Sequence, residues 1–258
     1  MEGGRVARLK SKLGAHSVGA MLTYKDSGEE TARKNAATIA AAMKRLGFNA
    51  DMAPVADVVS NPDNSVIGDR AYSDDFAQAA KLVRAAVGGF KSEGVICALK
   101  HFPGHGDTSE DSHDEPAYVA KTLPQLRAEE FLPFIAGISA GADMVMLGHL
   151  MVPDVDSQYP ATLSYKIATG ILREELGFDG VVITDALNMK ALTGEFGAAE
   201  IAVGAVRAGA DILLAPSSVE QAVAAIAGAV ERGEIAKSRI DGSVARILEL
   251  KIRAGVIS

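Results

Sequence analysis

The sequence contains a single cysteine and no tryptophan, and aromatic residues make up only 5% of its 258 positions. One cysteine cannot form an intrachain disulfide, and Cys97 lies in an apolar run, which favours a buried, inert thiol over a nucleophile. Basic residues form no block and are outnumbered, since 26 of them stand against 33 acidic residues for a net charge of −7. A nucleic-acid partner is therefore not expected.

Long apolar runs are absent as well. No stretch reaches the roughly 18 residues that a membrane-spanning helix needs, and the N-terminus carries no secretory signal pattern. We therefore predict a soluble chain without a membrane partner, whose compartment, cytoplasmic or secreted, the sequence leaves unknown. Its length and its 48% hydrophobic content suit one large core, so we predict a single domain over residues 1–258.

Short apolar segments alternate with amphipathic ones, which is the pattern of βα units around a parallel sheet. The predicted strands are residues 50–55, 94–99, 144–147, 181–184 and 212–214. The predicted helices are residues 29–46, 75–91, 123–137, 164–176, 198–208, 219–232 and 238–254. No linker or low-complexity tract interrupts this alternation, which supports one α/β domain.

Polar side chains directly follow four of the predicted strands. Asp57 comes after the first strand, Lys100 and His101 after the second, His149 after the third and Asp185 after the fourth. In parallel α/β folds, ligands gather at the carboxyl ends of the strands. We therefore expect these groups to line one common site.

The densest chemical signal is the run KHFPGHGD at residues 100–107, which DSH follows at 111–113. Three of the five histidines fall within the thirteen positions from 101 to 113. Histidine exchanges protons near neutral pH, and Asp111 is close enough in sequence to fix the tautomer of His113 and to support its charged form. This segment therefore predicts a proton-transfer site.

A metal centre is the competing interpretation of the same segment. His101, His105 and His113 lie near two aspartates, but their spacing matches no standard zinc pattern. The Pro103-Gly104 pair also prevents His101 and His105 from sharing a helix face. We therefore predict no metal and no cofactor, with a structural role for the whole loop as the remaining alternative.

Four strand-end or loop residues each allow two interpretations. Asp185 ends an apolar strand and is either a nucleophile or sugar-binding acid, or the cap of a turn. Lys100 follows five apolar residues, so its ammonium either pairs with carboxylate or ligand oxygens or extends to the surface. Arg70 either donates to substrate hydroxyls or closes its loop through a salt bridge. Asp57 either accepts from sugar hydroxyls or pairs with Lys100 or Arg70.

Six short motifs stand in a fixed order along the chain: EGGRV at 2–6, APVAD at 53–57, IGDR at 67–70, KHFPGHG at 100–106, DSH at 111–113 and TD at 184–185. In this order they closely resemble glycoside hydrolase family 3, and within it the single-domain β-N-acetylglucosaminidases (β-N-acetylhexosaminidases). The resemblance covers nearly the whole chain. Its most specific part is KHFPGHG together with DSH.

The resemblance implies a (β/α)8 TIM-type barrel and a retaining hydrolysis that releases terminal β-linked N-acetylglucosamine, typically from peptidoglycan fragments. Asp185 would be the nucleophile. His113, paired with Asp111, would protonate the departing oxygen and then activate water, which supplies the proton donor and opposed carboxylate of the retaining scheme. The residues implied to hold the sugar are Arg5, Asp57, Arg70, Lys100 and His101.

Two alternative functions remain open at this point. A neutral histidine would not repel an incoming phosphate as a carboxylate would, so a β-N-acetylglucosaminide phosphorylase on the same scaffold is the close alternative. An inactive or carbohydrate-binding remnant is the other.

The position of the first motif suggests the remnant. In the family, EGGR lies just after the second barrel strand, whereas here it begins at Glu2. The resemblance therefore implies an incomplete barrel that lacks about two strands, together with any signal peptide, and whose open sheet edges would permit self-association.

Overall fold

The computed structural model describes residues 1–9, 18–108 and 117–257. The strands are β1 (Ala50–Asp51), β2 (Ile96–Phe102), β3 (Ala117–Tyr118), β4 (Met144–Leu147), β5 (Leu150–Met151) and β6 (Val181–Thr184). The α-helices are α1 (Tyr24–Arg45), α2 (Phe76–Ser92), α3 (Leu123–Ala128), α4 (Phe131–Ser139), α5 (Lys190–Thr193), α6 (Ala198–Ala208), α7 (Val219–Glu231) and α8 (Lys237–Arg253), and a π-helix spans Lys166–Glu175. In this described part of the chain, no helix is long and apolar enough to cross a bilayer.

The central sheet is parallel and has the strand order β1-β2-β4-β6. A parallel bridge between Ile183 and Ile212 continues the sheet beyond β6. The connections between these strands contain helices, which parallel strands require. The chain therefore has the predicted α/β fold, with the parallel strands of an incomplete (β/α)8 barrel.

Aromatic packing against α4 fixes the end of β2. Phe102 is fully buried, and its ring centroid lies 5.5 Å from that of Phe131 and 5.2 Å from that of Phe134, both on α4. Such stacked and edge-on ring pairs add to the stability gained from burial alone. Lys100 and His101 directly precede Phe102 in β2, so this packing fixes the end of the strand that carries them.

Several predicted elements match the observed ones, and β4, β6 and α6 have the predicted bounds. Two predicted strands are shorter. The first has only two paired residues and a separate bridge at Val55, because Pro54 has no N–H to donate to a ladder. The last is reduced to the bridge at Ile212, because the amide of Leu214 donates to the Thr184 hydroxyl instead of to a strand carbonyl.

Other predictions need correction. The strand predicted at 94–99 extends through Phe102, which pairs with Leu147, so Lys100 and His101 belong to β2 instead of following it. The helix predicted at 123–137 is divided into α3 and α4, because the backbone at Glu129 leaves the helical conformation, with φ −128° and ψ −81°. The helix predicted at 164–176 is the shorter π-helix Lys166–Glu175.

Candidate active site

The predicted strand-end residues do come together at one end of the sheet. His101 is central to the arrangement: its Nδ1 lies 2.7 Å from a carboxylate oxygen of Asp57, and its Nε2 lies 4.0 Å from Oδ2 of Asp185. The imidazole therefore stands between two carboxylates. Because Asp57 can only accept at the shorter contact, the Nδ1 atom carries the hydrogen and the Nε2 atom faces Asp185.

Asp57 is fully buried and makes three hydrogen bonds. It accepts from the backbone N–H and Nδ1 of His101 at 3.0 and 2.7 Å, and from the backbone N–H of His105 at 2.8 Å. Burial alone would raise the pKa of Asp57, but the charge and hydrogen bonds of His101 outweigh it and hold the pKa below its usual value. The expected alternative partners, Lys100 and Arg70, are wrong as direct partners: Asp57 anchors the residues 101–105 instead.

Asp185 lies at the end of β6, and its side chain is 20% exposed, which leaves it accessible from the site. Its Oδ1 accepts from the backbone N–H of Ala186 at 2.7 Å. Burial would raise its pKa, but the nearby charges of His101, His149 and Lys100 and the Ala186 amide lower it below the usual value. The carboxylate is thus held ionised, which is the state that a nucleophile requires.

Glu2 is the partner that the sequence interpretation missed. Its carboxylate receives both Nε and Nη2 of Arg70 at 2.8 Å and lies 2.6 Å from Nζ of Lys100. Burial opposes ionisation, yet the two cations lower the pKa of Glu2 from 4.5 to about 2. The available signal was the rule that a buried lysine needs a carboxylate, combined with the acidic residue at the start of the EGGR motif.

The glycines of this motif place Glu2 beneath the site. Gly3 and Gly4 have φ of 111° and 48°, and a Cβ at Gly3 would lie 2.5 Å from the Val18 side chain. Only glycine fits such a tight reversal without strain. Within the turn, Gly3 and Val6 form an antiparallel bridge.

Arg5 binds the loop that precedes Arg70. Its Nη2 donates to the carbonyls of Ser65, Val66 and Ile67 at 2.7, 2.8 and 3.1 Å, and its Nε lies 3.0 Å from Asp69. These bonds fix the loop that leads to Arg70. The side chain is 47% exposed, and its predicted contact with substrate stays a prediction.

The loop after β2 is held tightly against the segment that follows Asp57. A Cβ added at Gly106 would lie 1.6 Å from the carbonyl oxygen of Val58, so the two backbones are in direct contact. His105 is buried, and its Nδ1 lies 2.8 Å from the Thr108 hydroxyl. Burial, reinforced by the charge of His101, lowers the pKa of His105, so we assign it a neutral structural role.

A second carboxyl group that the sequence interpretation missed lies under the same loop. Glu130 is fully buried; its Oε1 lies 2.8 Å from Nζ of Lys121, and within the described residues its Oε2 has no hydrogen-bond partner. Burial raises its pKa to about 7, although Lys121 opposes this. A Cβ on Gly104 would lie 2.7 Å from Oε2, so the carboxyl contacts the loop directly.

Asp111 and His113, the predicted acid/base pair, lie outside the described residues. Their roles therefore stay predictions. Across residues 1–9, 18–108 and 117–257, no group of three or more histidine, cysteine or acidic side chains is arranged to hold a metal ion.

The parallel sheet carries carboxylates at its strand ends, as α/β enzymes do, and residues 1–250 match the model of the glycosyl hydrolase family 3 N terminal domain. The chain belongs to this family. It is 37% identical to Beta-hexosaminidase A of Pseudoalteromonas piscicida over 98% of its own length, and 36% identical to Beta-hexosaminidase LpqI of Mycobacterium tuberculosis (strain ATCC 25618 / H37Rv) over 97%. It spans 46% and 66% of the lengths of these two curated relatives.

A solved structure supports the same assignment. The glycoside hydrolase family 3 beta-N-acetylglucosaminidase from Paenibacillus sp. str. FPU-7 superposes with a TM-score of 0.95 at 43% identity. The match covers 99% of this chain and 49% of the Paenibacillus chain.

Proposed function

We propose that the protein is a retaining β-N-acetylhexosaminidase that releases terminal β-linked N-acetylglucosamine, with peptidoglycan fragments as the natural substrate class. One observation carries the proposal: Asp185 is a partly accessible carboxylate, kept ionised by surrounding positive charge, at the carboxyl end of the parallel strand β6. Family membership and the hexosaminidase names of its relatives support the choice of substrate.

In this proposal, Asp185 attacks the anomeric carbon, and a carboxylate–carbon bond forms as the glycosidic carbon–oxygen bond breaks. His113, supported by Asp111, gives its proton to the departing oxygen. In the second step His113 takes a proton from water, whose oxygen attacks the same carbon and releases Asp185. This is the two-step route of retaining glycosidases.

The remaining residues bind the sugar. Lys100 and Arg70 share one carboxylate, Glu2, so the three side chains carry one net positive charge beside Asp185. Ammonium and guanidinium groups with hydrogens to spare are suited to donate to sugar hydroxyls. His101 is held by Asp57 so that its Nε2 faces the same space as the nucleophile.

The proposal is tested by hydrolysis of a nitrophenyl β-N-acetylglucosaminide. We expect turnover by the wild-type chain, accumulation of a covalent adduct with a fluorinated N-acetylglucosaminyl fluoride in mass spectrometry, and loss of both in Asp185→Ala. Asp241→Ala is the matched control, because Asp241 is exposed on α8 and pairs only with Lys237 in the described structure. A covalent adduct on Asp185→Ala would refute the assignment of the nucleophile.

The acid/base role of His113 has its own test. His113→Ala should slow substrates with poor leaving groups far more than activated ones, because an activated leaving group needs little protonation. Rates with nitrophenyl glycosides and with the natural disaccharide provide the comparison. Equal losses on both substrate types would contradict the assignment.

Product analysis separates the hydrolase from the two alternatives. With inorganic phosphate added, a hydrolase still yields free N-acetylglucosamine, whereas a phosphorylase yields the sugar 1-phosphate. A folded wild-type chain that binds N-acetylglucosamine but cleaves its glycosides neither with nor without phosphate would instead identify a carbohydrate-binding remnant.

A further inference from the structure

His149 lies in the turn between β4 and β5 and takes part in a chain of three short contacts. Its Nε2 lies 2.9 Å from the carbonyl oxygen of Ala186, and its Nδ1 lies 2.7 Å from the Thr162 hydroxyl. That hydroxyl in turn lies 2.8 Å from the carbonyl oxygen of Gly148. His149 and Thr162 are both buried, so bulk water does not replace these bonds.

The number of available hydrogens decides the charge of the ring. The two ends of the chain are carbonyl oxygens, which only accept, so three contacts require three hydrogens. The Thr162 hydroxyl supplies one, and a neutral imidazole supplies one more. An imidazolium supplies two, and only then does each contact contain a hydrogen.

The neutral alternatives leave two lone pairs facing each other. If Thr162 donates to Nδ1, its oxygen meets the Gly148 carbonyl at 2.8 Å without a hydrogen between them. If Thr162 donates to Gly148 instead, one contact of the neutral ring lacks a hydrogen in either tautomer. With the hydrogen on Nδ1, Nε2 meets the Ala186 carbonyl at 2.9 Å in the same way, and with the hydrogen on Nε2, Nδ1 meets the Thr162 oxygen at 2.7 Å. A buried polar atom that loses its hydrogen bond keeps the full cost of its desolvation, so each neutral arrangement is less stable than the charged one.

We propose that His149 is a permanently protonated imidazolium that positions the nucleophile Asp185 and stabilises its negative charge. The proposal rests on the function proposed above. His149 donates to the carbonyl of Ala186, and the amide of the same residue donates to Asp185, so the ring fixes the backbone that carries the carboxylate. A buried cation is tolerated where its hydrogens are satisfied and an opposite charge is near.

The surrounding charges agree with this assignment. The charged and titratable groups around Asp185 include His101 and Lys100 from β2, Arg70, and His149 from the turn after β4. Of these, Lys100 is already paired with Glu2, and the Nδ1 of His101 with Asp57. His149 adds its positive charge to this group and lowers the pKa of Asp185.

The first test needs no activity. In protein labelled with 15N-histidine, both ring nitrogens of His149 should keep the protonated type of 15N shift at about pH 8, where an ordinary histidine of pKa about 6.5 is neutral. The signal is assigned by its disappearance in His149→Gln. A single protonated nitrogen on His149 at that pH in the wild-type protein would overturn the proposal.

A matched pair at Thr162 tests the hydrogen count itself. Thr162→Ser keeps the hydroxyl and should keep the imidazolium signal. Thr162→Val removes the hydroxyl that Nδ1 contacts, so the three contacts no longer require a second ring hydrogen, and the ring should become neutral at about pH 8. An imidazolium signal that is unchanged in Thr162→Val would mean that another group sets the charge, which contradicts the proposal.

The positioning role is tested by kinetics. His149→Gln should lower kcat by about 100-fold with a much smaller change in KM, since misplacing a reacting group by about 1 Å has an effect of this size. It should also move the acidic limb of the kcat/KM profile to higher pH, because Asp185 loses a neighbouring cation. An unchanged acidic limb would refute this role. If the wild-type chain hydrolyses nothing, the proposed function fails, while the NMR arms still decide the charge of His149.

Discussion

Replacing Glu2 by glutamine should strongly destabilise the protein, although Glu2 was assigned no catalytic step. The substitution keeps the size of the side chain but removes its charge. Among the ion pairs of the described residues, Glu2 is the only carboxylate paired with Arg70 and Lys100, at 2.8 and 2.6 Å. The Glu2 side chain is only 2% exposed, so water cannot replace it. Two cations would then remain buried beside a neutral amide.

Two independent estimates give the magnitude. Removing one partner from a buried ion pair typically costs about 3–5 kcal/mol. The fall in the pKa of Glu2 from 4.5 to about 2 gives a similar value of about 3 kcal/mol. Because the folded pKa lies below the unfolded one, this stability is present above pH 4.5 and is lost as the pH falls towards about 2.

Urea and thermal unfolding near neutral pH measure the effect. For a chain of this size, about 3–5 kcal/mol corresponds to a fall in Tm of roughly 6–20 °C. Glu30→Gln is the matched control, because Glu30 is 76% exposed and its ion pair, within the described ranges, is with Arg33 one helical turn away. Such an exposed pair contributes about 0–1 kcal/mol.

The stability losses of the two variants show whether the ion pairs of Glu2 stabilise the fold. If Glu2→Gln loses no more stability than Glu30→Gln, the ion-pair cluster does not stabilise the fold as argued. Wild-type stability should also fall more steeply than that of Glu2→Gln between about pH 5 and pH 3, since over this range the Glu2 carboxylate takes up a proton in the unfolded state but not in the folded state, and glutamine takes up none in either. Equal slopes would contradict the assigned pKa.

Two further variants test the packing of the loop after β2. The pKa of Glu130 is raised from 4.5 to about 7, so the folded state binds a proton more tightly, and the free energy of unfolding should fall by up to about 3 kcal/mol as the pH rises through that range. Urea unfolding at both ends of the range should show a smaller pH dependence in Glu130→Gln, and an unchanged dependence would assign it to another group. Gly106→Ala should destabilise the protein by about 1–3 kcal/mol, because its Cβ would meet the Val58 carbonyl. Gly88→Ala in α2 is the control: a Cβ there meets nothing within 4 Å, so it should stabilise the protein by about 0.5–1 kcal/mol. Similar denaturation midpoints for the two variants would argue against a close contact at Gly106.

The alternation of apolar segments predicted the type of most elements correctly. Strands β4 and β6 and helix α6 were found with their observed bounds, because buried parallel strands are uniformly apolar and their neighbours have helical periodicity. The boundary errors have local causes. Polar residues inside β2 made the strand look shorter than it is, and no periodicity signal marks the break at Glu129 between α3 and α4.

The residues of the candidate site were predictable from the sequence, but the contacts between them were not. Strand-end placement brought Asp57, His101, His149 and Asp185 together as expected, since parallel strands end on one side of the sheet. Their partners were not predicted. Asp57 binds the histidine segment, and a glutamate 68 positions before Arg70 neutralises that arginine.

The sequence by itself determined the family, the α/β fold and the identity of the chemical groups at the strand ends, because these depend on local pattern and on motifs with fixed spacing. Only the tertiary structure decided which charges meet, which carboxylates stay ionised and how many hydrogens His149 must carry. Those properties depend on distances of a few ångströms between distant segments and on the exclusion of water around them. Neither quantity is written in the order of the residues.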